Sequence, residues 1–94
     1  MNKISKEIYS TLKNMPKEFS THEFILKFSQ TYQHAYIQAL YNEIGFAQPF
    51  KSLHLKLGKF LRSAPNSVEM LQSDYKDKDI FGQVSKNALW RKRP

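Results

Sequence analysis

Residues 50–72, FKSLHLKLGKFLRSAPNSVEMLQ, carry two different periods on either side of one proline. Before Pro65 the apolar residues keep helical time. At 100° per residue, Leu53, Leu57, Phe60 and Leu61 fall within an arc of about 100° and make an inward face. Lys51, Gly58, Lys59 and Arg62 point the other way, with Leu55 among them. Pro49 suits the first turn of this helix, which runs about 50–63 and stops before Pro65. After the proline, Val68-Glu69-Met70-Leu71-Gln72 has the composition of a strand, and Asn87-Ala88-Leu89-Trp90-Arg91 of a second. The twelve or so residues between them are polar and turn-rich apart from Ile80-Phe81, so the pair reads as a hairpin over about 68–91 with a long tip. Two strands alone are not stable in water. The hairpin must therefore pack on the helices, with Trp90 as its anchor.

Working back from this stretch, Ile4, Ile8 and Leu12 recur every fourth residue with Tyr9 beside them, which predicts a helix over 3–14. Asn2 can cap its start, and Pro16 ends it at Met15. Lys17–Ser20 reads as a short extended segment. Ser20-Thr21-His22-Glu23 is a capping box, and Phe19 stands at the staple position that pairs with Phe24. From Thr21 on, Phe24, Phe28, Tyr32, Ala35, Tyr36, Ala39 and Leu40 follow one helical stripe, which Ser29-Gln30-Thr31 can interrupt. Two readings stand: one helix over 21–43, or two over 21–29 and 32–43. Gly45 suits the left-handed residue that closes it. The fold expected is mainly α with a small β-hairpin, in one domain spanning 1–94.

Composition narrows the function. The chain has 94 residues, 15 Lys or Arg against 8 Asp or Glu, and no cysteine, so disulfide frameworks and thiolate zinc sites are excluded. It is too short for a Rossmann or barrel enzyme. It has no apolar run long enough to span a bilayer, and no apolar block behind the first lysines of the kind a signal peptide needs. The Met1 start and basic end are what a complete small protein shows. The net charge of +7 is uneven: residues 1–50 hold five Lys against four Glu, while residues 51–94 hold ten Lys or Arg against Glu69, Asp74, Asp77 and Asp79. One basic half favours a polyanionic partner met by one face.

The order helix, short strand, helix, basic helix, hairpin resembles the winged helix-turn-helix class. The resemblance covers most of residues 3–92 and lies in element order and length. It implies binding of duplex DNA, with helix 50–63 in the major groove and the hairpin 68–91 as a wing on an adjacent groove or the phosphates. The tip Asp74-Tyr75-Lys76-Asp77-Lys78-Asp79 departs from that pattern by carrying more acid than base.

The candidate nucleic-acid-binding residues are Lys51, Ser52, Leu55, Lys56, Lys59 and Arg62 on the basic helix, flanked by His54. Lys86 on the wing and Arg91, Lys92 and Arg93 in the basic tail 91–94 complete the set. Cationic and hydroxyl donors suit phosphate oxygens and base edges, Leu55 suits a thymine methyl or a protein partner, and Gly58 would let the helix backbone approach a groove closely. Asp74, Asp77 and Asp79 read as a solvated turn rather than a metal site, because Lys76 and Lys78 between them repel a cation. His22, His34 and His54 lack metal-ligand spacing, with His34 and His54 at the surface or its boundary. Phe19, Phe24, Phe28, Tyr32, Tyr36, Phe60 and Trp90 read as core rather than stacking platforms, and Tyr75 as a contact at the tip. No nucleophile elbow, phosphate loop or paired-carboxylate pattern is present, so no enzymatic activity, cofactor or metal is expected.

The function expected is that of a small basic cytoplasmic or nucleoid-associated protein that binds duplex DNA in transcription regulation or another nucleic-acid transaction, as a monomer or as a homodimer on two half-sites. The alternative is a protein-interaction module on the same scaffold, an adaptor or an inhibitor of a nucleic-acid enzyme, favoured by the acidic tip, Leu55 and the apolar Ile44-Gly45-Phe46. RNA is a third partner, separable by competition between duplex DNA, duplex RNA and single strands.

Overall fold

A computed structural model describes residues 4–94, so the Asn2 cap lies outside the described residues. The elements are α1 (Ser5–Asn14), β1 (Glu18–Ser20), α2 (Thr21–Thr31), α3 (Gln33–Tyr41), α4 (Pro49–Arg62), β2 (Val68–Lys78) and β3 (Val84–Lys92). The sheet is antiparallel in the order β1-β3-β2, with Phe19 opposite Trp90 and Met70 opposite Trp90 on the other side. The fold is therefore α+β: helices packed on a three-stranded sheet rather than on a small hairpin. Among the described residues no helix is long and apolar enough to cross a membrane.

The helix-period residues make one core. Ile8 and Leu12 of α1, Phe24, Ile25 and Phe28 of α2, Tyr36 and Ala39 of α3, and Leu53, Leu57 and Leu61 of α4 are buried together with Phe19, Val68, Ala88 and Trp90. The capping box forms in full. Ser20 Oγ accepts from the Glu23 amide at 3.1 Å, and Glu23 Oε1 accepts from the Ser20 amide at 2.8 Å. Phe19 and Phe24 meet with ring centroids 6.3 Å apart, closing the staple. Pro49 occupies the first turn of α4, as its fixed φ and missing N–H allow.

The stripe from Thr21 is two helices. The break falls at Tyr32, whose backbone leaves the helical region (φ −120°, ψ 63°) while its hydroxyl donates to Ser10 Oγ at 2.7 Å on α1. A tertiary hydrogen bond thus holds the corner that Ser29–Thr31 loosens. Gly45 does not close α3 in the left-handed region, since Gly82 is the described residue with positive φ. Instead α3 ends at Tyr41 and the chain turns through successive bonds from the amides of Glu43, Ile44 and Phe46 to the carbonyls of Leu40, Tyr41 and Glu43. This route brings Glu43 inside.

The ribbon is longer than its apolar residues indicate. β2 runs to Lys78 and β3 starts at Val84, with pairings such as Tyr75 to Asn87 and Asp77 to Ser85, so Asp74–Lys78 is strand and not tip. Register irregularities between Met70 and Tyr75 bend β2. The actual tip is Asp79–Gln83. Asp79 Oδ1 accepts from the amides of Phe81 (2.9 Å) and Gln83 (3.0 Å), and Gly82 supplies φ +83°. Those amide bonds, that of Gln83 foremost, hold the Asp79 carboxyl below the ordinary carboxylate range. Trp90 anchors the ribbon as expected: it is 3% exposed and its indole Nε1 donates to Thr21 Oγ1 at 2.9 Å.

Candidate nucleic-acid interface

Because β3 docks on the start of α2 while α4 runs alongside, the ribbon and α4 do not touch along their whole length. They enclose an open cleft of about 930 Å³, lined by α4, the first turns of α2 and the inner face of the ribbon. Lys51, Lys59 and Arg62 from α4 and Lys86 from β3 are exposed and line it. Leu55, 58% exposed, stands on its rim, and Gly58 lies on its α2 side, 3.8 Å (as a built Cβ) from Thr21 Cγ2.

The other candidates are used within the fold. Glu43 is only 5% exposed, and a buried carboxylate needs partners. It takes a hydrogen bond from Ser52 Oγ at 2.6 Å and an ion pair from Lys56 Nζ at 2.7 Å, and these bonds, the Lys56 one first, hold its carboxyl below the usual range. Ser52 and Lys56 therefore serve the α3–α4 corner, where Lys56 also lies 5.5 Å from the Phe46 ring centroid, rather than the cleft. The basic tail does not hang free. Arg91 pairs with Glu18 (3.2 Å) and Glu69 (3.7 Å), Arg93 reaches Glu69 at 4.0 Å, and Lys92 Nζ donates to the Lys13 carbonyl at 3.1 Å. These residues lie on the sheet away from the cleft, so the sequence pattern joined two surfaces that the fold separates.

The acidic stretch is not a solvated turn. Asp77 Oδ1 faces His22 Nδ1 at 2.6 Å and accepts from Asn87 Nδ2 at 2.8 Å, while Asp77 Oδ2 accepts from Ser20 Oγ. Asn87 Oδ1 in turn accepts from the His22 amide at 2.8 Å. One carboxylate and one carboxamide thus join the start of α2 to both strands of the ribbon. With Nδ1 directed at the carboxylate, His22 Nε2 faces Ser85 Oγ at 3.3 Å. Carboxylate, imidazole and hydroxyl stand in the order that activates a nucleophile. Here the shortest contacts are the ones that tie α2 to β2, so the set first acts as a latch that fixes the cleft's width. Among the described residues no group of three or more His, Asp or Glu could hold a metal ion.

The cleft also has an aromatic wall. Phe50 in the first turn of α4 meets Phe81 of the tip edge-to-face, with centroids 5.0 Å apart at 85°. His54 lies against both, at 6.1 and 6.3 Å. Its Nε2 is 2.7 Å from Tyr36 Oη. Burial pushes the Tyr36 hydroxyl up to about 12 and the His54 imidazole down to about 4. Near neutral pH the phenol therefore donates to an uncharged ring, and His54 adds no cation to the cleft. His34, by contrast, is exposed. Phe50, Phe81, His22, Asp77 and Asn87 escape a reading of the sequence. The one hint was Ile80-Phe81, an apolar pair beside Gly82 in an otherwise polar stretch.

Comparison with protein-family models, curated proteins and solved structures gives no match.

Proposed function

We propose that this chain is a winged-helix-type domain that binds duplex DNA, with α4 presented to the groove and the β2–β3 ribbon alongside it. The observation that carries the reading is the convergence of Lys51, Lys59 and Arg62 on α4 with Lys86 on the ribbon, all exposed on one cleft. The element order and the pairing of β1 with β3 support the scaffold. Cations on a rigid helix and ribbon suit phosphates, which position a protein on DNA without reading its sequence. Bases would be read by the side chains between them. A DNA-binding role would put the protein with the nucleoid.

The test is a fluorescence anisotropy titration against duplex DNA at two salt concentrations. With Lys51, Lys59, Arg62 and Lys86 each neutralising one phosphate, the slope of log K on log salt is about −3.6, and raising salt from 50 to 200 mM weakens binding roughly 150-fold. Reversing charge at Lys51, Lys59 and Arg62 abolishes binding and leaves the circular dichroism spectrum intact. Affinity that stays flat with salt ends the reading.

A second reading, a protein-interaction module, is favoured by a separate observation. Ile37, Tyr41, Ile44 and Phe46, on α3 and the turn after it, are all more than half exposed. Failure of duplex DNA to shift at low salt, with substitution of Phe46 or Leu55 disrupting a stable protein complex, selects that reading.

A further inference from the structure

The Phe50–Phe81 wall has no role in the packing of the core. Both rings belong to the cleft, and they stay 42% and 57% exposed although they touch each other. Tyr9, Tyr41 and Phe46 are exposed elsewhere on the surface, but the Phe50–Phe81 pair shares one cleft with Lys51, Lys59, Arg62 and Lys86, and rings and cations together call for a flat apolar ligand that carries negative charge. The wall is also held in place before any ligand arrives. Asp79 and Gly82 fix the tip, the His22–Asp77–Asn87 latch fixes the ribbon, and Phe50 stands on a helix. A preset platform loses little freedom on binding. Lys51 follows Phe50 directly in the chain, and Lys59, Arg62 and Lys86 line the same cleft. The Asp79 carboxylate nearby is already committed to backbone amides. An acidic peptide would meet the cations equally well, but its carboxylates carry no ring, whereas a nucleic acid carries a planar base beside every anionic group.

We propose that the Phe50–Phe81 wall receives an unstacked nucleobase, so that the preferred ligand is duplex DNA containing an unpaired base rather than uninterrupted duplex. The inference rests on the DNA-binding reading above. The cations hold the backbone, one base leaves the stack, and its face lies on the exposed rings. Gln48, Gln83 and Ser85 on the cleft supply donors and acceptors to its edge. Removing a base from the duplex is unfavourable when it is paired and least so when it has no partner, which makes pairing state the property selected.

The experiment uses two labelled duplexes of equal length and phosphate number, one fully paired and one in which a central base faces an abasic site. Each is titrated with the full chain and with its Phe81→Ala and Phe50→Ala variants at 50 mM salt, after thermal melts show that the variants fold. The full chain is expected to bind the interrupted duplex roughly 5- to 150-fold more tightly, the range that stacking one base supplies. Phe81→Ala loses most of that preference and keeps its affinity for the paired duplex. Equal affinity of the full chain for both duplexes overturns the inference and leaves the DNA-binding reading standing. So does a Phe81→Ala variant that weakens both by one common factor. Binding to neither duplex removes both.

Discussion

Gly58 offers a test that separates the folding of α4 from its use. It stands in the interior of that helix, where glycine is about 0.8–1 kcal/mol less favourable than alanine because its backbone has more freedom to lose. A Cβ built there meets only Thr21 Cγ2, at 3.8 Å, an ordinary van der Waals distance. Nothing in the fold therefore requires the missing methyl group. Gly58→Ala is expected to stabilise the protein by about 1 kcal/mol, which raises the melting temperature of a domain of this size by roughly 4–8 °C. Calorimetry or circular dichroism melts at neutral pH measure it. An unchanged or lower melting temperature would refute the claim that the site is open. The same variant then reports on function, because Gly58 lines the cleft. Weaker DNA binding by a more stable protein assigns the glycine to close approach of a ligand, whereas unchanged binding removes that part of α4 from the interface.

Three further outcomes are expected. Trp90→Ala deletes a buried indole and removes the donor to the Thr21 hydroxyl, so denaturant unfolding should record a loss of about 3–5 kcal/mol; a loss under 1 kcal/mol would mean that the ribbon is not anchored there. Acid should weaken the fold through His54: its folded pKa, lowered by burial to about 4 from 6.5, means that the unfolded chain takes up a proton the folded one resists. That stability is present above pH 6.5 and is lost as pH falls toward 4, by on the order of 1–2 kcal/mol after allowance for the ring's partial exposure, and His54→Gln should flatten the dependence; an NMR titration placing His54 at its ordinary value would contradict it. Asp77→Ala leaves Ser20, His22 and Asn87 without their shared acceptor, at a cost of roughly 1–3 kcal/mol, and should speed amide exchange along β2 and β3 before the helices open; uniform exchange would show that the latch holds nothing locally.

Much of the helical part was legible because its signals are local. The capping box at Ser20–Glu23, the Phe19–Phe24 staple, Pro49 at a helix start and the leucine spacing of α4 each depend on residues within one or two turns. The ribbon was read short because Asp74–Lys78 owes its strand conformation to pairing with Val84–Asn87 and not to apolar alternation. Tyr32 breaks the long stripe with the help of a hydroxyl on a different helix. Gly45 went unused because turn hydrogen bonds closed α3 earlier.

The amino-acid order by itself determined which face of α4 is charged, since a period of 3.6 residues puts Lys51, Lys59 and Arg62 opposite Leu53, Leu57 and Leu61 wherever that helix is packed. Tertiary structure decided which of the cations are free and what stands across from them. Glu43, buried at the α3–α4 corner, draws Lys56 and Ser52 inward; Glu18 and Glu69 take up Arg91; and Asp77 meets His22 across 55 residues of chain. Charges and rings far apart in sequence acquire partners only when the chain closes on itself, because burial sets the demand for a partner and the fold sets which one is within reach.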